Sequence, residues 1–442
     1  MHIGLIALSG VRACDEELMR LGMTLPGFVE RSKTIASLPS LGLLTLAGMT
    51  PKHHKVTYLE VDQLEDMAAW PDFDLVALST FTAQARDAYC IADRYRAEGT
   101  PVVIGGLHVT ALPEEAAQHA DAVVVGEGEL TWPQVLVDAE AGNLKPLYRG
   151  QPAEFDLSHA PMPAFDLLDI DRYNRITLQT TRGCPWRCAF CASSILLTGK
   201  YKQKPMERVL AEVDRIREIW PRPFLEFADD NSFVRRDYWK ALLPQLATRR
   251  VRWFTETDIS VADDPELLRL MRKAGCVEVL IGLESPVTTG LRGLETRSDW
   301  KLQKFPNYQA AIHRIQSHGI RVNGCFILGL DGQNTDIFDQ VFRCTEQLEL
   351  YDVQITLQTP FPGTPLYRQL HQEGRLFEAD AWHRCTLFDL TYEPTPMSGE
   401  ELVAGFRELA GRLYNDSFTE WRRETFRQKY LRHARHTPED TP

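Results

Sequence analysis

No window of this 442-residue chain approaches the apolar length needed to span a bilayer, so membrane-spanning roles are set aside. A basic surplus is also missing. With 49 Lys and Arg against 61 Asp and Glu, the formal net charge is -12, the wrong sign for a nucleic-acid backbone as the main partner. The opening MHIGLIALSG has an apolar run but lacks the basic n-region and small-residue cleavage site of a secretory signal. It reads as a first strand, and the chain as cytoplasmic. No internal repeat or low-complexity stretch is evident. A hydrophobic fraction of 44% and a charged fraction of 25% are ordinary for a globular protein, and the length implies two domains with an appendage.

What is present begins with cysteine. The nine cysteines are an odd number, and three of them fall between residues 184 and 191. That is poor geometry for a disulfide framework and good geometry for a metal site in a reducing compartment. The other six are expected to remain thiols. One local exception to the acidity runs from Trp421 to Arg435, with Arg422, Arg423, Arg427, Lys429, Arg432 and Arg435 at partly helical spacing. It reads as a solvated basic helix in preference to a peripheral membrane or partner contact.

The runs HIGLIALS, KVTYLEV, DLVALST, PVVIGGLH and DAVVVGEGE alternate with helical patterns such as Leu41 to Met49. Continuously apolar strands alternating with helices predict an α/β fold: a doubly wound, Rossmann-like parallel sheet over residues 1–145. Ligands of such sheets bind at the carboxyl ends of the strands, here marked by Ser79 and Thr80, Gly105 to His108, and Gly126 to Glu129. Any one of these loops reads more simply as a tight turn, but three in register point toward binding. Residues 146–174, rich in Pro and Asp, read as a linker. A second series, ITLQTTR, FLEFADD, VRWFTETD, VEVLIGLES, RVNGCFILGL and VQITLQT, predicts a partial (β/α)6 TIM-type barrel over 175–370, followed by a helical C-terminal region over 371–442.

The segment Thr181 to Cys191 lies just past the first strand of the second series, at the end where barrels place their chemistry. Thiolates from Cys184, Cys188 and Cys191 can converge on three irons of a cubane cluster and leave one iron without a protein ligand. Structural zinc wants four protein ligands, and no nearby Cys or His completes a tetrahedron. Cys276, Cys325, Cys344 and Cys385 are scattered, and the first two read as small hydrophobes.

CxxxCxxC with an aromatic, Phe190, before the last cysteine resembles the signature of the radical S-adenosylmethionine (SAM) superfamily, over about residues 175–370. The resemblance implies a [4Fe-4S] cluster on Cys184, Cys188 and Cys191, with SAM chelating the open iron and yielding a 5'-deoxyadenosyl radical. Asp229 or Asp230, where the family has GGE, would take the methionine amino group. Glu256 would reach the ribose or methionyl end, Glu284 would share that rim, and Gly329 would pack near adenine. Each of these acids alone is equally readable as a solvated loop residue or a helix N-cap.

The first domain, placed ahead of this motif, is similar in order and spacing to the cobalamin-binding radical SAM enzymes. Leu38 to Met49, Ser79 to Phe81, Gly105 to Thr110 and Gly126 to Glu129 carry that likeness. It implies a cobalamin between the domains, its nucleotide tail against Ser79, Thr80, Gly105, Gly106, Gly126, Glu127 and Gly128. The DxHxxG motif that supplies a histidine to cobalt is absent, the first-strand loop reading Ser9 to Arg12. His108 would contact the nucleotide tail or cap its turn. The implied activity is methyl transfer to an unactivated carbon of a small, hydrophobic or lipid-like substrate, through the deoxyadenosyl radical and methylcobalamin, with flavodoxin or ferredoxin as electron donor. A cyclase, ring-rearranging or oxidising enzyme of the same family is the alternative. A methylthiotransferase fits less well, because the first domain offers only Cys14 and Cys90 for a second cluster; a non-catalytic cobalamin or iron-sulfur sensor would need no SAM pocket. Apolar and aromatic residues near Trp253, Phe254, Phe361 and the C-terminal helices admit a lipid, a tetrapyrrole or a natural-product scaffold.

Overall fold

The computed structural model describes residues 1–8, 13–20, 38–62, 64, 70–150, 155–197 and 200–431. The loop Ser9 to Arg12, and Arg432 and Arg435 of the basic stretch, lie outside the described residues. The first sheet contains β1 (His2–Leu8), β2 (Lys55–Val61), β3 (Leu75–Ser79), β4 (Val102–Gly105), β5 (Ala122–Val125) and β6 (Leu147–Arg149). Their order is β2-β1-β3-β4-β5-β6, all parallel. Ile3, Leu5, Ala7 and Ala77 face the helices Leu41–Met49 and Trp132–Glu140, while Ile6, Val76, Leu78 and Ile104 face the helix Ala85–Ala97. Burial on both faces explains the unbroken apolar runs. The strand β6 lies where a linker was expected. Its three residues are too few to show a period, and pairing with β5 is what makes them a strand.

The second sheet contains β7 (Ile176–Leu178), β10 (Phe224–Phe227), β11 (Arg252–Thr257), β12 (Cys276–Glu284), β13 (Arg321–Leu328) and β14 (Asp352–Leu357). Between β7 and β10, β8 (Thr181–Arg182) and β9 (Lys202–Gln203) form a short antiparallel pair. The order β14-β13-β12-β11-β10-β7, all parallel, sets each strand beside its neighbour in sequence. Leu225, Phe227, Trp253, Val279, Ile281, Val322 and Ile355 form the outer face, in one core with the covering helices. Alternation then turns Glu226, Glu256, Glu278, Asn323 and Gln354 to the concave face. Trp253, expected near substrate, is on the outer face: it is buried and its Nε1 donates to the Ala274 carbonyl at 2.8 Å. Phe361 packs against the core of the first sheet.

The helix Pro365–Gln372 runs through the expected boundary at residue 370, and the helices Gly399–Tyr414 and Asp416–Thr425 follow. The first of these two starts with a capping box, Ser398 and Glu401. The basic stretch is not uniformly solvated. Arg422 is buried and donates to the carbonyls of Tyr351 (3.2 Å) and Leu413 (3.1 Å) and to Asp352 (3.1 Å), whereas Arg427 pairs with Glu424 at the surface. Arg422→Ala removes its hydrogen bonds to Asp352 and to two carbonyls from the interior, a loss of about 3 kcal/mol. Native-state amide exchange in the helix Asp416–Thr425 is expected to quicken by about a hundredfold, while Arg427→Ala changes it little.

Candidate functional site

The cysteine loop is an excursion between β8 and β9, and its neck is held by two adjacent acids at the end of β10. Asp229 accepts from the backbone N–H groups of Thr180 (2.7 Å) and Thr181 (2.9 Å), from the Thr180 hydroxyl, and from Ser232 Oγ (2.9 Å). Asp230 accepts from Gly183 N–H at 2.7 Å and from the Ser193 hydroxyl, so it spans the entrance and exit of the loop. Along its outer side the loop pairs with the chain after β12: Ala189 N–H donates to the Leu294 carbonyl (2.8 Å) and Thr296 N–H to that of Arg187 (2.9 Å). Phe190 packs with Leu291, Leu294, Ile327 and Leu330.

All three loop cysteines are free thiols. Burial pushes the Cys184 thiol up to about 12 and raises Cys188 and Cys191, because a bare thiolate there would lose its hydration. Each sulfur nevertheless has a group that favours its anion: Asn231 Nδ2 lies 3.8 Å from Cys184 Sγ, the Lys301 ammonium acts on Cys188, and the neighbouring Ser194 favours the Cys191 thiolate. Metal binding would supply the missing positive charge and displace the protons. Three soft thiolates on one loop suit an iron-sulfur cluster that offers each sulfur its own iron.

The other acids divide by partner. Glu284 sits at a positive φ of 62° on a bulge of β12, and its carboxylate lies 2.7 Å from Lys301 Nζ. Burial opposes the Lys301 charge, but Glu284 prevails and keeps it cationic. Glu226 is paired with Arg175. Glu256 has no hydrogen bond or ion pair among the described residues. Its carboxyl reaches water inside the concavity, yet the surrounding protein, with the charges of Glu226, Asp230, Asp229 and Glu284, pushes its pKa up to about 8.

A cavity of about 490 Å³ joins the two sheets. From the first sheet it is lined by Ser79, Thr80, Phe81, Gly105, Gly106, Gly126, Glu127 and Gly128, and from the second by Thr177, Gln179, Arg182, Glu226 and Ala228. This is the crevice at the β1/β3 switch point, where the strand order reverses. Gly106 and Gly126 have φ of 109° and 86°, and a Cβ on either would fall within 2.6 Å of a backbone oxygen, of Thr80 or Gly150. Their turns require glycine whatever binds. Phe81, 59% exposed, is available to a large apolar ligand.

Two expected positions are placed otherwise, and a third, Glu127, lines the cavity with its carboxylate already paired. His108 does not line this cavity; it is buried, with Nε2 at 3.2 Å from Glu115 and its ring edge-on to Trp382. Gly329 meets the C-terminal region, its carbonyl accepting from Tyr392 Oη at 2.6 Å. Glu127 is spent on cations: Lys202 Nζ lies 2.6 and 2.7 Å from its two oxygens, and Arg182 bonds to it and to Glu129 (2.7 Å). Burial works against the Glu129 anion, but the Arg182 guanidinium holds its carboxyl below the ordinary range. Arg182 and Lys202, which tie the cysteine neck to the first sheet, were missed in the sequence. The only available signal was two cations flanking a loop beside two acids in another domain.

The radical SAM superfamily model matches residues 178–344, the B12 binding domain model residues 33–136, and a domain of unknown function (DUF4070) residues 364–441. The chain is 30% identical to an uncharacterized methyltransferase of Synechocystis sp., covering 84% of this chain and 70% of that one. It is 29% identical to bacteriochlorophyllide d C-12(1)-methyltransferase of Chlorobaculum tepidum, covering 86% and 83%. The fold matches TsrM from Kitasatospora setae, a radical S-adenosylmethionine methyltransferase solved with cobalamin and a [4Fe-4S] cluster. That TM-score is 0.66 at 15% identity, over 94% of this chain and 90% of that one.

Asp230→Ala is expected to lower iron retained after anaerobic reconstitution about tenfold against a chelator, by freeing the neck of the loop. Cys188→Ala is expected to abolish it. The raised Glu256 pKa means that the folded protein holds a proton the unfolded chain releases near 4.5, so this contribution to stability fades as pH rises from about 4.5 to about 8. In melting curves across that range, Glu256→Gln should show a shallower decline than the unsubstituted protein.

Proposed function

The chain belongs to the cobalamin-binding radical SAM enzymes, and on that premise we propose that it transfers a methyl group to an unactivated carbon of a small or hydrophobic substrate. The observation that carries this reading is the single cavity bounded both by the carboxyl-end loops of the first sheet and by Arg182, the residue two before Cys184. When bound, the cluster and SAM supply a 5'-deoxyadenosyl radical, and cobalamin supplies the methyl group.

The chain's own part is to hold and exclude. Cys184, Cys188 and Cys191 are the iron ligands, and Asp229 and Asp230 keep their loop in shape. Ser79, Thr80, Gly105, Gly106, Gly126 and Gly128 cradle the cobalamin tail, while Arg182 and Lys202 lock that rim to the cysteine neck through Glu127. Glu256, protonated at neutral pH, offers a hydrogen-bond donor to a polar group inside the concavity. The substrate is a small or lipid-like molecule, and a one-electron donor of the flavodoxin or ferredoxin kind reduces the cluster. Three thiols committed to iron favour a reducing compartment such as the cytoplasm. Among the described residues no helix is long and apolar enough to cross a membrane.

Reconstitution without oxygen, with iron, sulfide and hydroxocobalamin, followed by SAM and a reductant, tests the reading. Bound cobalt with both 5'-deoxyadenosine and S-adenosylhomocysteine is the expected result, both products vanishing in Cys188→Ala. Deoxyadenosine with bound cobalt but no S-adenosylhomocysteine would move the assignment to a cyclising, rearranging or oxidising enzyme. Protein that binds neither cobalamin nor cluster would overturn it.

A further inference from the structure

The far edge of the first sheet carries a second set of metal-type ligands. The turn before β2 places His53 and His54 side by side, at the amino-terminal edge of the strands and therefore opposite the cavity. The helix Trp132–Glu140 returns from the cavity end and finishes there, bringing Glu140 to the two rings. His53 Nε2 lies 3.3 Å and His54 Nε2 3.6 Å from the same oxygen, Glu140 Oε1, and all three donor atoms fall within 4.8 Å of one another.

Hydrogen bonding accounts poorly for this convergence. Charge-assisted N–H···O bonds close to about 2.7–2.9 Å. The His53 contact is long, and the His54 contact is beyond hydrogen-bond reach. Donor atoms bound to one tetrahedral zinc at about 2.0–2.1 Å stand about 3.4 Å apart, close to the two histidine-to-carboxylate distances of 3.3 and 3.6 Å. Two imidazoles and a carboxylate are a borderline-soft set that favours zinc over calcium or magnesium.

The site is also held in place. Trp132 Nε1 donates to Thr50 Oγ1 at 2.9 Å, linking the start of that helix to the end of the helix Leu41–Met49, and His54 N–H closes the turn on the Pro51 carbonyl at 3.0 Å. The His54 side chain is only 1% exposed, with its Nδ1 3.4 Å from the Met1 amino nitrogen, while His53 and Glu140 are open to solvent.

We propose that His53, His54 and Glu140 bind a zinc ion that clamps the turn before β2 to the end of the helix Trp132–Glu140, with water in the open position. This clamp is independent of the methyl-transfer reading. The test is to titrate cluster- and cobalamin-loaded protein with zinc sulfate, remove unbound metal, and measure zinc and iron together with the melting temperature. The unsubstituted protein should retain one zinc that the His53→Asn/His54→Asn double variant lacks, at equal iron content, and only the former should melt higher as zinc is added. Glu140→Gln, which keeps both rings and changes only an exposed side chain, should weaken zinc binding at least about tenfold and decides the matter if the double variant does not fold. Equal zinc in all three proteins, or none retained by the unsubstituted one, would overturn the proposal.

Discussion

The site depends above all on one buried carboxylate. Asp229 stands at the end of β10 and takes four hydrogen bonds, three of them from Thr180 and Thr181 at the point where the chain leaves β7. A buried acid is tolerable when donors surround it, and the same donors fix the direction in which the chain departs. Asp230, next in sequence, closes the other side of the neck through Gly183 and Ser193. The cysteines are thus presented by a loop whose two ends are fastened to one strand end. This is the support a cluster needs if its ligands are to keep their spacing before metal arrives.

From that neck the organisation extends in two directions. Arg182, immediately before Gly183, carries the connection to Glu127 and Glu129 of the first sheet. On the other side, Glu284 and Lys301 set a cation beside Cys188 from a bulge in β12. Both ion pairs are buried, so neither is a large source of net stability, yet breaking either would strand a charge. Their consequence is positional: the crevice of the first sheet and the concave face of the second become walls of one cavity.

The fold was largely legible. Unbroken apolar runs announced the first sheet's strands, covered on both faces, and five of its six were readable from them; all six of the second sheet were readable as strands alternating with helices. The sixth strand of the first sheet was not, because three residues show no period and gain strand character only by pairing with β5. Trp253 misled for a related reason: an aromatic at a strand end is visible in sequence, but which face it points to is set by register. Arg422, inside an apparently solvated basic helix, is buried because the helix lies against the backbone around Tyr351 and Asp352.

The sequence by itself determined the candidate ligands and the class of chemistry: CxxxCxxC, its place after a strand, and the strand-end glycines and acids are all local patterns, fixed by short-range spacing. The tertiary structure decided what each acid does. Asp229 and Asp230 became braces, Glu127 and Glu284 partners of cations, and Glu256 alone among the expected acids was left without a partner in the described residues. His108 was likewise turned away from the cavity, toward Glu115 and Trp382. The physical reason is that a carboxylate's role is set by the nearest charge and by access to water, and both are supplied by residues tens to hundreds of positions away in the chain.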